Sequence, residues 1–127
     1  MHLTLINAGM TLATILIYTG YFFRKSNNPL HRKLNTTAIL LVVITAAYLL
    51  AGKYLMNGIS AMNIYPIVPR WAVNVHRAFA AINLIMLLLM GYTGWKRNRE
   101  LHKRIHLYFL VLHTIIYISG LLIFESR

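Results

Sequence analysis

The side chains best suited to chemistry in this sequence are histidines, and two of them end a repeated pattern. Residues 17–34 read IYTGYFFRKSNNPLHRKL, and residues 91–105 read GYTGWKRNRELHKRI. Each segment has Tyr-Thr-Gly-aromatic, a short basic loop, and Leu-His followed by two cations, so His31 matches His102. Another histidine precedes the first tyrosine of each pattern by sixteen residues. Self-similarity of this kind is typical of a duplicated supersecondary unit. The sequence therefore predicts two copies of a helical hairpin, at residues 1–54 and 72–125.

The last apolar run contains three histidines at helical spacing. His102, His106 and His113 follow one another at intervals of four and seven residues. At about 100° per residue they lie within about 40° of one another, which makes one stripe on a helix. We expect this stripe to face His31 of the other hairpin. His76 begins the third run, and ionisable residues at membrane depth are functional candidates by default.

These imidazoles predict a metal or haem site, because the sequence supplies few other ligands. It has no cysteine, and its two acidic residues lie outside the apolar runs. Imidazole binds haem iron, copper or zinc, and a haem between helices needs histidines on facing helices. We expect one haem b, or two, with His31 paired to His102 or His106, and with His113 and then His76 as further candidates. The cations expected beside the haem propionates are Arg32, Lys33, Lys103 and Arg104.

Two other interpretations of the histidines stay open. A copper site could use three histidines of the same cluster. Alternatively, each histidine could form hydrogen bonds between helices without binding any metal, as polar residues do in membrane bundles.

The elements that position the histidines are predicted to be membrane helices. Of the 127 residues, 58% are hydrophobic, and only two are acidic against thirteen Lys and Arg. About 20 apolar residues cross the roughly 30 Å hydrocarbon layer of a bilayer. Four runs are long enough, and they predict an all-α, antiparallel four-helix transmembrane bundle in one domain, residues 1–127. The runs are 3–23, 34–52, 72–94 and 105–124.

Charge predicts how the chain is oriented. Nine of the thirteen cations lie in or beside the two short loops between paired runs. Cytoplasmic loops carry an excess of Lys and Arg, so we expect both loops inside and both termini outside, in a multi-pass protein of the cell membrane. The net charge of +11 reflects this topology and does not indicate nucleic-acid binding. The long connection 53–71 is expected to lie at the interface or to cap the bundle.

Several short motifs resemble a family of small bacterial four-helix membrane proteins that includes the haem–copper oxidase assembly factor CtaM. The similarity covers nearly the whole chain, whereas His106, His113 and the segment around them differ from the family pattern. The resemblance implies a four-helix membrane fold and a role in oxidase maturation. The matching motifs are Ile6-Asn7-Ala8, Gly20 with His31-Arg32, His76 with Ala78, and His102-Lys103-Arg104 with Ser119-Gly120.

Together these observations predict a membrane protein that binds haem b near its cytoplasmic face. It would act in respiratory electron transfer or in oxidase maturation, without independent catalytic activity. Its expected partners are the lipid bilayer and another respiratory membrane protein, and a homo-oligomer is compatible with the sequence. The alternatives are a metal-free accessory subunit of a larger respiratory complex and a copper-handling assembly protein.

Overall fold

The computed structural model describes residues 1–126, which form four long α-helices and a small two-stranded sheet. We call the end that holds the short loops 24–27 and 96–98 the basic end. We call the other end, which holds residues 1 and 126 and the connection 56–69, the terminal end. The helices are α1 (His2–Phe23), α2 (Asn28–Leu55), α3 (Arg70–Trp95) and α4 (Arg99–Ile123), and the strands are β1 (Ile64–Pro66) and β2 (Phe124–Ser126).

Two helices begin earlier than the apolar runs that predict them. Helix α2 begins at residue 28 and α4 at residue 99, whereas their apolar runs begin at 34 and 105. Asparagine side chains cap both starts: Asn27 accepts a hydrogen bond from the backbone N–H of Leu30, and Asn98 accepts one from that of Leu101. Such caps satisfy an N–H group that the helix leaves unpaired. Helix α4 therefore carries all of its basic residues, and α2 all except Lys53, on the first two turns.

All four helices are long and apolar enough to cross a membrane. Between 11% and 28% of the most apolar stretch of each helix is buried inside the bundle. Most of the apolar side chains therefore point outward, and in water they would form a continuous exposed hydrophobic surface. Soluble monomers rarely have such a surface, but it is suited to contact with lipid.

The helices pack as an antiparallel ring in which α1 contacts α2 and α4, and α3 contacts α2 and α4. The two helices of each hairpin pack more closely than the hairpins pack against each other. Ala13 and Ala38, both fully buried, let α1 and α2 approach closely. The buried core cluster consists of Ala13, Ile17, Ala38, Val42, Leu87 and Phe109.

The long connection closes the terminal end of the bundle. Met62, which is 1% exposed, packs against Gly52 of α2, and Ile64 is also buried. Strand β1 then pairs with β2 in antiparallel register, with Tyr65 opposite Glu125. The connection and the segment after α4 therefore hold each other in place across this end.

Candidate functional site

His31 and His102 meet at the basic end, at the seam between the two hairpins. His31 lies in the first turn of α2, and His102 lies in the first turn of α4. Their ring centroids are 6.4 Å apart, and the ring planes are nearly perpendicular, at 86°. Both side chains are half-buried. The two histidines that the repeat pattern matches to each other thus form the closest imidazole pair in residues 1–126.

Hydrogen bonds fix which nitrogen of each ring carries the proton. Nδ1–H of His31 donates to the carbonyl oxygen of Gly20 at 2.7 Å. The hydroxyl of Thr93 donates to the carbonyl of Met90 at 3.2 Å, so it accepts from Nδ1–H of His102 at 3.1 Å. In a neutral imidazole, the other nitrogen then carries a lone pair. Both Nε2 atoms are therefore acceptors, which is the state in which imidazole binds a metal.

Asn35 contacts the pair only loosely. Its Nδ2 lies 3.4 Å from each ring nitrogen of His31, which is long for a hydrogen bond. Its buried Oδ1 has no hydrogen-bond partner in the described chain and lies against Gly20. The side of His31 that faces Asn35 is thus held less firmly than the side bonded to Gly20.

His106 lies outside this pair. Its ring stacks on Tyr21 of α1, with centroids 5.7 Å apart, and its Nδ1–H donates to the carbonyl of Lys103 at 2.7 Å. Within residues 1–126, no three His, Cys, Asp or Glu side chains come close enough to hold one metal ion. The histidines at the basic end therefore meet as a pair.

His113 is fully buried in the middle of the bundle, and both of its nitrogens are engaged. The hydroxyl of Thr14 donates to the carbonyl of Met10 at 2.7 Å, and it accepts from Nε2–H of His113 at 3.0 Å. Nδ1 of His113 accepts from Nδ2 of Asn83 at 3.2 Å. This ring therefore links α1, α3 and α4. Such links between helices are what the metal-free interpretation of the histidines expects.

Two further hydrogen bonds join α1 to α4 on either side of His113. Thr11 and Tyr117 are bonded through their hydroxyl oxygens at 2.8 Å, and Tyr18 is bonded to Thr114. The sequence signal for this seam is the polar face of α1, where Thr11, Thr14 and Tyr18 recur at helical spacing. What the spacing does not reveal is which residues of α4 they meet.

His76 lies at the terminal end, far from the pair. The hydroxyl of Ser119 donates to the carbonyl of Ile116 at 3.1 Å, so it accepts from Nδ1–H of His76 at 2.8 Å. His76 also lines a cavity of about 370 Å³ between the four helices. At the same end, the ring of His2 is hydrogen-bonded to the hydroxyl of Tyr48.

The predicted propionate-binding cations lie at the basic end, on α2 and α4. Arg104 forms an ion pair with Glu100 at 3.2 Å, and both side chains are exposed. Arg32 and Lys33 are exposed on α2 beside Thr36 and Thr37. They supply positive charge at the mouth of the seam and leave the space beside the rings free of ion pairs.

Comparison with known proteins adds no family assignment. No protein-family model, curated protein or solved structure matches the chain.

Proposed function

We propose that the chain is a membrane protein that binds haem b at the basic end through His31 and His102. Bound there, the haem supplies a one-electron redox centre for respiratory electron transfer or for the maturation of a respiratory oxidase. The observation that carries the proposal is the separation of the two rings, together with the lone pairs left on both Nε2 atoms. The motif resemblance supports the same setting.

The ring separation agrees with two imidazoles on opposite sides of one metal ion. A metal–imidazole bond is about 2.0–2.1 Å long, so the two nitrogens would be about 4 Å apart. Each ring centroid lies roughly 1 Å beyond its nitrogen, which gives about 6 Å between centroids when both bonds have that length. The observed centroid distance of 6.4 Å is close to this value. The backbone and hydroxyl acceptors at Nδ1 are the outer partners that orient metal-binding histidines.

Space for the macrocycle is the more demanding requirement. The buried core closes at Ala38 and Phe109, each seven residues and therefore about 10 Å deeper than the corresponding histidine. Between these two residues and the basic end, the rings lie at the seam between the hairpins, where the helices pack less closely. The macrocycle would occupy this seam, with its propionates toward the cations of the two basic loops.

A single copper(I) ion is the second candidate, because it is much smaller than a haem. A two-coordinate ion between the Nε2 atoms needs no slot, so the bundle could bind it without moving its helices. Imidazole is a suitable ligand for copper. In this case the protein would handle copper during oxidase assembly.

The proposal includes the duplicated hairpin and the membrane orientation. The hydrogen bond between His2 and Tyr48 joins α1 to α2, and that between His76 and Ser119 joins α3 to α4 at matching positions of the repeat. This correspondence supports a common origin of the two hairpins. The concentration of Lys and Arg at the basic end supports a cytoplasmic location for that end.

The test is the visible spectrum and metal content of the detergent-purified protein. If the protein binds haem, we expect the wild type to show sharp absorption bands after reduction with dithionite, both as purified and after haemin has been added. His31→Ala and His102→Ala should each abolish these bands. His106→Ala is the matched control: His106 is on the same helix as His102 but stacks on Tyr21, so this variant should retain them.

The same three variants separate the candidates. If the wild type shows no haem bands but binds stoichiometric copper(I), and His31→Ala and His102→Ala lose that copper, then the cofactor is copper and not haem. If wild type retains neither cofactor, or if His106→Ala fails as completely as the other two, the proposed pair is not the site. In the first of these two outcomes, the metal-free accessory subunit would be the remaining interpretation.

A further inference from the structure

The cavity at the terminal end has the size of a small-molecule site. Its volume is about 370 Å³, within the roughly 300–1,000 Å³ usual for ligand pockets. All four helices contribute to it, and the connection 56–69 covers it. Its wall is mainly aliphatic, and this wall includes Leu3, Met10, Val42, Leu49, Leu84 and Leu121.

Two side chains of α3 in this wall present hydrogen-bond acceptors without partners. The first is His76, whose Nδ1–H is bonded to Ser119, so that its Nε2 carries a lone pair in the neutral ring. No hydrogen bond to this Nε2 is found among residues 1–126. The ring lies beside Gly120 of α4, which also lines the cavity: a Cβ atom on Gly120 would be 3.6 Å from Cε1 of His76.

The second acceptor is Oδ1 of Asn83, and a chain of hydrogen bonds fixes its identity. Because the hydroxyl of Thr14 is committed to Met10, it accepts from Nε2–H of His113, and Nδ1 of His113 must itself accept. The atom of Asn83 that faces Nδ1 is therefore the amide nitrogen. The amide oxygen is left without a partner in the described chain, on a side chain that is only 3% exposed. Buried unpaired acceptors are rare in proteins.

The spacing of the two acceptors suits a ring with donors at opposite positions. His76 and Asn83 are seven residues apart, so they share one face of α3 and differ in depth by about 10.5 Å. A ligand that contacts both acceptors must therefore carry two donors at opposite ends, as a six-membered ring with para hydroxyl groups does.

We propose that this cavity binds a hydroquinone with an apolar substituent, and that it prefers the reduced, dihydroxy form. The two hydroxyl groups would donate to Nε2 of His76 and Oδ1 of Asn83, and the substituent would lie along the aliphatic wall. The oxidised form has only carbonyl acceptors, which would leave both protein acceptors unpaired. Side chains that can donate also line the cavity: Asn7, Thr45, Lys53, Arg77 and Tyr117. Of these, the hydroxyl of Tyr117 is bonded to Thr11, Arg77 is exposed, and the ammonium of Lys53 lies over the Tyr54 ring.

This site is independent of the histidine pair. His76 and His102 are at opposite ends of the bundle, and the proposal concerns binding alone, without a redox step. His102→Ala should lose haem or copper and leave hydroquinone binding unchanged. A variant of Asn83 should weaken hydroquinone binding and leave haem or copper binding unchanged.

The direct test is calorimetry of the full chain in detergent micelles under anaerobic conditions. The probes are trimethylhydroquinone and trimethyl-p-benzoquinone, with protein-free micelles as the blank. We expect the reduced probe to bind at least tenfold more tightly than the oxidised one. Asn83→Leu and His76→Phe should each weaken binding of the reduced probe about tenfold, the effect of one lost hydrogen bond.

A second pair of variants tests the cavity without changing its polar groups. Ala80→Phe places a ring in the cavity wall and should abolish binding. Ala78→Phe, on an exposed position of the same helix, should not. Equal affinity of wild type for the two probes would overturn the proposal, and that comparison needs no variant to fold. So would binding that survives Ala80→Phe, or heats that match those of empty micelles.

Discussion

The packing of Met62 on Gly52 gives a sharp prediction about what closes the terminal end. A Cβ atom on Gly52 would overlap Sδ of Met62 and lie 2.9 Å from its Cε and 3.0 Å from its Cγ. Gly52→Ala therefore cannot be accommodated by a small rotation at the tip of the methionine. The whole Met62 side chain, now 1% exposed, has to move.

The size of the effect follows from two limits. Overpacking a buried contact costs about 1–3 kcal/mol, and complete loss of a buried methionine side chain costs about 2–5 kcal/mol. Alanine gains up to about 1 kcal/mol over glycine as a helix former. We therefore expect Gly52→Ala to lower the free energy of unfolding by about 1–3 kcal/mol in spite of its better helix propensity.

The assay is unfolding by SDS in mixed micelles, followed by circular dichroism. Gly94→Ala is the control, since its Cβ would lie 3.6 Å from the nearest side-chain atom, in His102, and it should not lower stability. In a double-mutant cycle with Met62→Ala, the two changes should be strongly non-additive, because the shortened side chain removes the clash. If Gly52→Ala is as stable as wild type, or if the two effects simply add, Met62 does not occupy the position described here.

Three further predictions concern the histidines and the helix starts. Gly20→Ala would place a methyl group against Oδ1 of Asn35 and displace the Gly20 carbonyl that accepts from His31, so haemin or copper(I) affinity should fall roughly 10- to 100-fold; an affinity equal to wild type would contradict this. His113→Leu and Asn83→Leu should show a coupling energy of about 0.6–1.7 kcal/mol in a double-mutant cycle; zero coupling would mean that the hydrogen bond is not formed. Asn98→Ala should lower the unfolding free energy by about 0.5–2 kcal/mol in the SDS assay, and an unchanged midpoint would argue against the cap.

The sequence predicted the four helices because their signal is simple. Long apolar runs separated by charged loops have few alternatives once hydrophobic length is considered. The positions where α2 and α4 begin were harder, since Asn27 and Asn98 extend the helices into polar sequence through their caps. The pairing of β1 with β2 carried almost no signal, because three-residue strands have no measurable periodicity.

The histidine stripe on α4 shows why helical spacing does not define a site. Placing three rings within about 40° fixes the side of the helix but not what lies opposite each ring. His102 meets His31, His106 meets Tyr21, and His113 meets Thr14 and Asn83. Because neighbouring helices present different residues at each depth, three similar positions have three different environments. The tertiary contacts that separate them are not encoded in the spacing.

The anchoring of the histidines explains how one sequence feature could serve two different sites. His31, His76 and His102 each donate from Nδ1–H to an oxygen on the other helix of their own hairpin. Each hairpin can therefore orient its histidine rings by itself. The Nε2 atom of each ring stays available to bind a group that lies opposite it. At the basic end this is a second imidazole across the seam, so a metal ligand pair can form. At the terminal end it is an apolar cavity with one more acceptor, so an uncharged hydrogen-bond donor is the complementary ligand. In both proposals the ligand lies between the two hairpins, and this is also the less closely packed interface of the bundle.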